Sequence, residues 1–172
     1  MKTNPTRHKL NESEYFLKMA KALFENDDEF SYSISAFLSA ARSITFYMQK
    51  QYGRCYGFPD WYSRKQVYML ADDDFNFLNN ARVETIHKAP VRTGASREVT
   101  IKMNAIIGSL SKEESQQMKD ADSKPPEQGV PKTVRRFFPD HASVDVIPLC
   151  EKQLAELRAL VDECESRFLS LP

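Results

Sequence analysis

Residues 37–53, FLSAARSITFYMQKQYG, decide the fold class of this chain. Phe37, Leu38, Ala41, Ile44 and Met48 return at the three-to-four-residue spacing of one helix face, and Phe30 and Ile34 extend the same stripe backwards. Arg42 and Gln49 lie off that stripe. The helix begins after Asp27 and Asp28, and Gly53 is a natural stop. A stripe this long needs other apolar elements to cover it.

The neighbouring segments supply them. Upstream, Asn11 and Glu14 read as a capping box ahead of Phe16, Met19, Ala20, Leu23 and Phe24. Downstream, the turn RCYGFPD leads to a third stretch that Asp60 can cap, carrying Trp61, Tyr62, Val67, Tyr68 and Leu70. Asp72, Asp73 and Asp74 then read as a helix start, where the dipole favours negative charge, and nothing nearby completes a metal shell. Phe75, Leu78, Ala81, Thr85 and Ile86 continue that helix until Pro90 ends it.

After Pro90 the pattern changes. Val99, Ile101 and Met103 alternate with polar residues, the period of a strand. Residues 111–133 are polar, hold three prolines and read as a loop. Ser143–Ile147 suit a short strand. Pro148 then opens a last helix with Leu154, Leu157, Val161, Cys164, Phe168 and Leu171 on one face. The expected architecture is all-α: one domain over residues 1–172, a four- to five-helix antiparallel bundle, with a partly irregular insertion at about 91–147 that includes a short β-hairpin.

Composition narrows the function classes. The chain has 172 residues, and 24 basic side chains balance 24 acidic ones, so any anionic partner must be held by a local patch. No stretch has signal-peptide or membrane-span character, which predicts a chain that stays off membranes. Cys55, Cys150 and Cys164 are odd in number and never form a CxxC pair, as expected of the reducing cytoplasm. Cys164, at core spacing, reads as a small buried hydrophobe. Neither a metal nor another cofactor is expected.

The candidate site lies in residues 75–88, FNFLNNARVETIHK, where Arg82 precedes His87 by five positions. Histidine exchanges protons near neutral pH, and arginine is a permanent forked cation suited to phosphate oxygens. Together they suit metal-free cleavage of a phosphodiester. The pattern is common, however: with eleven arginines and three histidines, about 0.6 chance matches are expected. A second match, Arg135 and Arg136 before His141, reads as a loop accident at Pro139, with an accessory phosphate contact as its alternative. Five helical residues also span about 140°, so Arg82 and His87 converge only if the helix end unwinds or a groove wraps it. The plain alternative is that His87 offsets the helix dipole and Arg82 pairs with Glu84 or another carboxylate.

The order FLSAARSITFYMQKQYG, FPDWY, FLNNARVETIH resembles the HEPN family of small helical domains over about residues 10–90 and the last helix. The resemblance implies a homodimeric bundle whose two Arg/His motifs face a shared cleft. It implies either a metal-independent RNA endonuclease of the defence or toxin–antitoxin type, with an antitoxin or other protein partner, or a catalytically silent interaction or ligand-binding module. In the nuclease, His87 would be the acid/base and Arg82 would hold the scissile phosphate. Lys88, Arg92, Arg97 and Lys102 would supply basic surface for RNA. Val83 stands where active members carry a polar residue, and Ala89 where a modified tyrosine occurs, which weakens both the nuclease and its control by modification.

Overall fold

Asparagines open the first two helices, because their side-chain oxygens satisfy amides that no helical carbonyl can reach. A computed structural model of the protein describes residues 4–87, 93–98 and 133–168, without the side chains at 84–87, 97, 98 and 133. Helix α1 is Pro5–Ala22, α2 Asp27–Tyr52, α3 Phe58–Ala71, α4 Asp73–His87 and α5 Val146–Phe168. Strands β1 (Gly94–Glu98), β2 (Thr133–Phe138) and β3 (His141–Asp145) form a small sheet in the order β1-β2-β3. Among the described residues the protein is therefore an all-α bundle of five helices with a small antiparallel sheet, the class that its patterning predicts. The expected strand at Val99, Ile101 and Met103 and the loop at 111–132 lie outside the described residues.

Contacts divide the chain into two compact units, Met1–Ala95 with Arg136–Pro172, and Ser96–Arg135. Every helix among the described residues belongs to the first. Of the second, the described residues are only the ends of β1 and β2.

The α2 stripe is buried as expected, with Phe30, Ile34, Phe37, Ile44 and Met48 at 0 % exposure. The α5 face, Leu154, Leu157, Val161, Cys164 and Phe168, closes over the same core. Helix α1 differs from its sequence reading. It starts at Pro5 behind the cap Asn4, whose oxygen accepts from the Arg7 amide at 3.1 Å, so Asn11 and Glu14 sit inside the helix. Its fully buried line is Leu10, Ser13, Leu17 and Ala20, one position round from the predicted stripe, with Phe16 only partly buried beside it. The small Ser13 hydroxyl donates to the Leu10 carbonyl, which makes it tolerable at an apolar contact. Arg7 ties this helix to α5, reaching Asp162 at 2.6 Å and Glu165 through Nε at 3.1 Å.

Helix α3 starts at Phe58, not at an Asp60 cap: Gly57 adopts φ 78°, a left-handed turn that glycine takes without Cβ strain. Phe58 and Trp61 pack edge-on with Phe168, Tyr62 stacks on Phe58, and the Trp61 indole donates to Glu163 at 2.8 Å. Asp72 caps α4 by accepting from the Phe75 amide at 2.9 Å, as its sequence reading expects. The Phe75 amide and then Lys152 hold its carboxyl below the usual carboxylate range.

The segment RRFFPDH is a β-hairpin, not a loop. Pro139 and Asp140 make its turn, and β2 pairs antiparallel with β3. Arg136 is 1 % exposed. Its Nη1 donates to Asp27 at 2.6 Å, Nε donates to the Phe24 carbonyl at 3.0 Å, and the guanidinium lies over the Phe24 and Phe30 rings. A guanidinium so occupied is a structural anchor, unavailable to a phosphate.

Candidate functional site

Helix α4 carries the sequence-predicted pair. It remains helical through His87, so the unwinding that would bring positions 82 and 87 together does not occur within the described residues. The two positions lie about 140° apart around the axis. The side chain of His87 and that of Arg97 lie outside the described residues, as do Lys88, Arg92 and Lys102 entirely.

Arg82 has a different neighbourhood from the one its spacing suggests. Its Nε is buried and makes no hydrogen bond, and no carboxylate pairs with it among the described residues. Gln153 of α5 is 7 % exposed, and its Oε1 is likewise buried without a partner. Both line one small cavity of about 20 Å³ with Arg42, Thr45, Phe75 and Asn79. That is room for a single water, which would accept from the arginine N–H and donate to the glutamine oxygen.

A second, more open crevice of about 130 Å³ shares Arg42, Thr45, Phe75 and Asn79 with that cavity. Helix α2 contributes Arg42 and Thr45, α3 contributes Tyr62, Gln66, Met69 and Leu70, and α4 contributes Phe75, Asn76 and Asn79. Arg42 donates to the Thr45 hydroxyl at 2.7 Å and makes no ion pair among the described residues. Gln49 donates to the Tyr62 hydroxyl at 3.2 Å and to the Thr45 carbonyl at 3.1 Å. Burial raises the Tyr62 phenol pKa, and the Thr45 hydrogen bond, Arg42 and Gln49 partly offset that. Among the described residues the two linings together include two arginines and several amide side chains, but no carboxylate. Such an arrangement can hold an oxyanion, with charged donors on one side and neutral donors around it.

Sequence spacing led to Arg82, and the structure sets Arg42 and Gln153 at the cavity beside it. Arg42 is the residue that spacing passed over, and a signal existed: Arg42 is the single charged side chain between Glu29 and Lys50. A lone arginine on a helix otherwise so apolar asks for a stated reason. Trp61 and Tyr62 are both buried, and Tyr62 lines the crevice. Among the described residues no group of His, Cys, Asp and Glu could hold a metal ion. Cys150 and Cys164 are buried, and burial pushes the Cys164 thiol up to about 12. No helix is long and apolar enough to cross a membrane among the described residues.

Comparison with known proteins corrects the resemblance drawn above. Residues 3–114 match a family described as bacteriophage lambda protein ea47, and not a HEPN domain. The physical reason for the error is that apolar helix stripes recur in any bundle, and an Arg and a His five apart arise easily by chance. No curated protein and no solved structure matches the chain. The matched span holds Arg42, Tyr62, Asn79 and Arg82 but ends before Gln153 and α5. Since it covers well over half of the 172 residues, the chain belongs to the family of bacteriophage lambda protein ea47.

Proposed function

We propose that the protein is a helical binding module that holds an anionic group, a phosphate or a carboxylate, in the crevice between α2, α3 and α4. One observation carries this reading. Arg42 lines the crevice and also the inner cavity that Arg82 borders, and no carboxylate lines either among the described residues. On a chain with equal numbers of acidic and basic side chains arginines find partners easily, so two that make no ion pair among the described residues beside adjoining cavities call for a ligand. Size limits what enters. The 130 Å³ crevice is about four times the volume of a liquid water and below the usual range of whole-ligand pockets. It suits a small oxyanion or the charged end of a larger molecule, not a whole nucleotide.

Calorimetric titration of the full chain with inorganic phosphate and pyrophosphate tests this. Arg82→Met and Arg42→Met should each weaken binding by roughly tenfold or more, the worth of a charge-assisted hydrogen bond. Equal affinity in wild type and both variants, or no binding at millimolar anion, would overturn the reading.

Metal-independent cleavage of RNA is the second reading, favoured by Arg82, whose Nε makes no hydrogen bond among the described residues and which would hold the scissile phosphate while His87 moves the proton. A mixed RNA pool incubated with protein and EDTA separates the two. Cleavage that His87→Ala abolishes would make the site catalytic. An inert wild type that still binds pyrophosphate would leave the binding module.

A further inference from the structure

A larger groove runs on the other side of α3, between it and α5, with a volume of about 360 Å³. Its floor is apolar: Met69, Phe75, Leu157 and Leu160. Its rim is acidic, with Asp72, Glu156 and Glu163 against Lys65 alone. Two of these carboxylates are satisfied. Glu163 pairs with Lys65 at 2.6 Å and Arg167 at 3.0 Å, and Asp72 with Lys152 at 3.0 Å. Glu156 makes no hydrogen bond or ion pair among the described residues. Desolvation and then the nearby Asp72 raise its pKa, with Lys152 partly offsetting them.

The apolar surface does not stop at the groove. Tyr68, which lines it, is 73 % exposed. A small molecule in the groove would leave much of that ring wet, whereas an extended partner covers it. A second copy of this chain, docked about a twofold axis, would return the same acidic rim against itself. The complementary occupant is therefore basic and amphipathic.

We propose that the groove between α3 and α5 docks an amphipathic helix of a partner protein, its apolar anchors seated on Tyr68, Met69 and Leu160 and a lysine or arginine set against Glu156. Helix-in-groove recognition uses anchors at i, i+3, i+4 and i+7, and a cation beside Glu156 also gains the Tyr68 ring face.

Two synthetic peptides of about 18 residues, long enough to form a helix, test the proposal. They share one apolar face and carry lysines or glutamates on the polar face. Fluorescence anisotropy against the full chain should show the lysine peptide binding at least about tenfold tighter. Glu156→Lys should erase that preference, and Tyr68→Ser should weaken the lysine peptide, with circular dichroism confirming that both variants are folded. Equal affinity for the two peptides, no binding of either, or a preference that survives Glu156→Lys would overturn it. So would sedimentation equilibrium showing a dimer that Tyr68→Ser disperses, since the face would then belong to a second copy.

Discussion

Helix α3 separates two clefts of opposite character, and Met69 and Phe75 line both. On the side of α2 and α4 the cleft is small, and among the described residues its arginines make no ion pair and its lining has no carboxylate. On the side of α5 it is nearly three times larger, apolar at its floor and rimmed by three carboxylates against one ammonium. A chain of zero net charge thus presents a locally positive and a locally negative site on either side of one helix. Net charge is a sum, and recognition is local; within a Debye length of roughly 8–10 Å a ligand senses the nearby groups and little else. The difference also separates the ligands expected. The first cleft has room for an anionic group, the second for the apolar face of a polypeptide.

The largest effect expected concerns an arginine that belongs to neither cleft. Arg136→Ala removes a guanidinium that is 1 % exposed and leaves a void beside Phe24 and Phe30. Urea unfolding should show a loss of about 3 kcal/mol, and phosphate affinity below the midpoint should not change. A loss under about 1 kcal/mol would mean that the hairpin is not anchored there.

Next in size is Arg82→Met, whose tenfold or greater loss of phosphate affinity should leave lysine-peptide binding intact. If both fall together, the clefts are not independent and the contrast between them fails. Saturating phosphate at 100 times its dissociation constant should raise the wild-type melting temperature by roughly 5–10 °C, following mass action.

A smaller effect concerns the bridge inside the positive cleft. Arg82→Met, Gln153→Leu and the double variant form a cycle, and their stabilities without added anion should couple by about 1 kcal/mol. Strict additivity would show that Arg82 and Gln153 share no water and that the two unpaired atoms are unrelated.

The smallest effect belongs to the negative cleft. Because burial raises the Glu156 pKa, its ionised form costs the folded state more than the unfolded one. Glu156→Gln should therefore melt slightly higher than wild type at pH 7. The advantage should vanish as pH falls through the carboxylate range and the wild-type side chain takes up its proton. An advantage that persists unchanged at pH 4 would place its origin in packing.

Much of the fold was legible because helix periodicity is a local property of the chain. Phe30, Ile34, Phe37, Ile44 and Met48 announce a buried face, and the structure buries all five. Asp72 reads as a cap because capping needs only the next three residues, and it is one. Helix α1 was misread by one position because Ser13 and Thr6 are buried polar residues, whose burial depends on partners far along the chain. Thr6, for instance, donates to Gln51 at 2.8 Å. The hairpin at RRFFPDH was hidden for a similar reason: two consecutive arginines look solvated until Phe24, Phe30 and Asp27 are brought to one of them.

By itself, then, the sequence determined that this protein is an all-α bundle, that α2 and α5 each carry a long apolar face, and that Arg82 stands out on α4. Those conclusions rest on spacing within single segments, where 3.6 residues per turn relate sequence directly to geometry. Only the tertiary structure decided what Arg82 faces. Arg42 is 40 positions earlier and Gln153 71 positions later. Their meeting at one cavity depends on how the helices pack, and no periodicity within a segment reports the charge that a neighbouring helix brings.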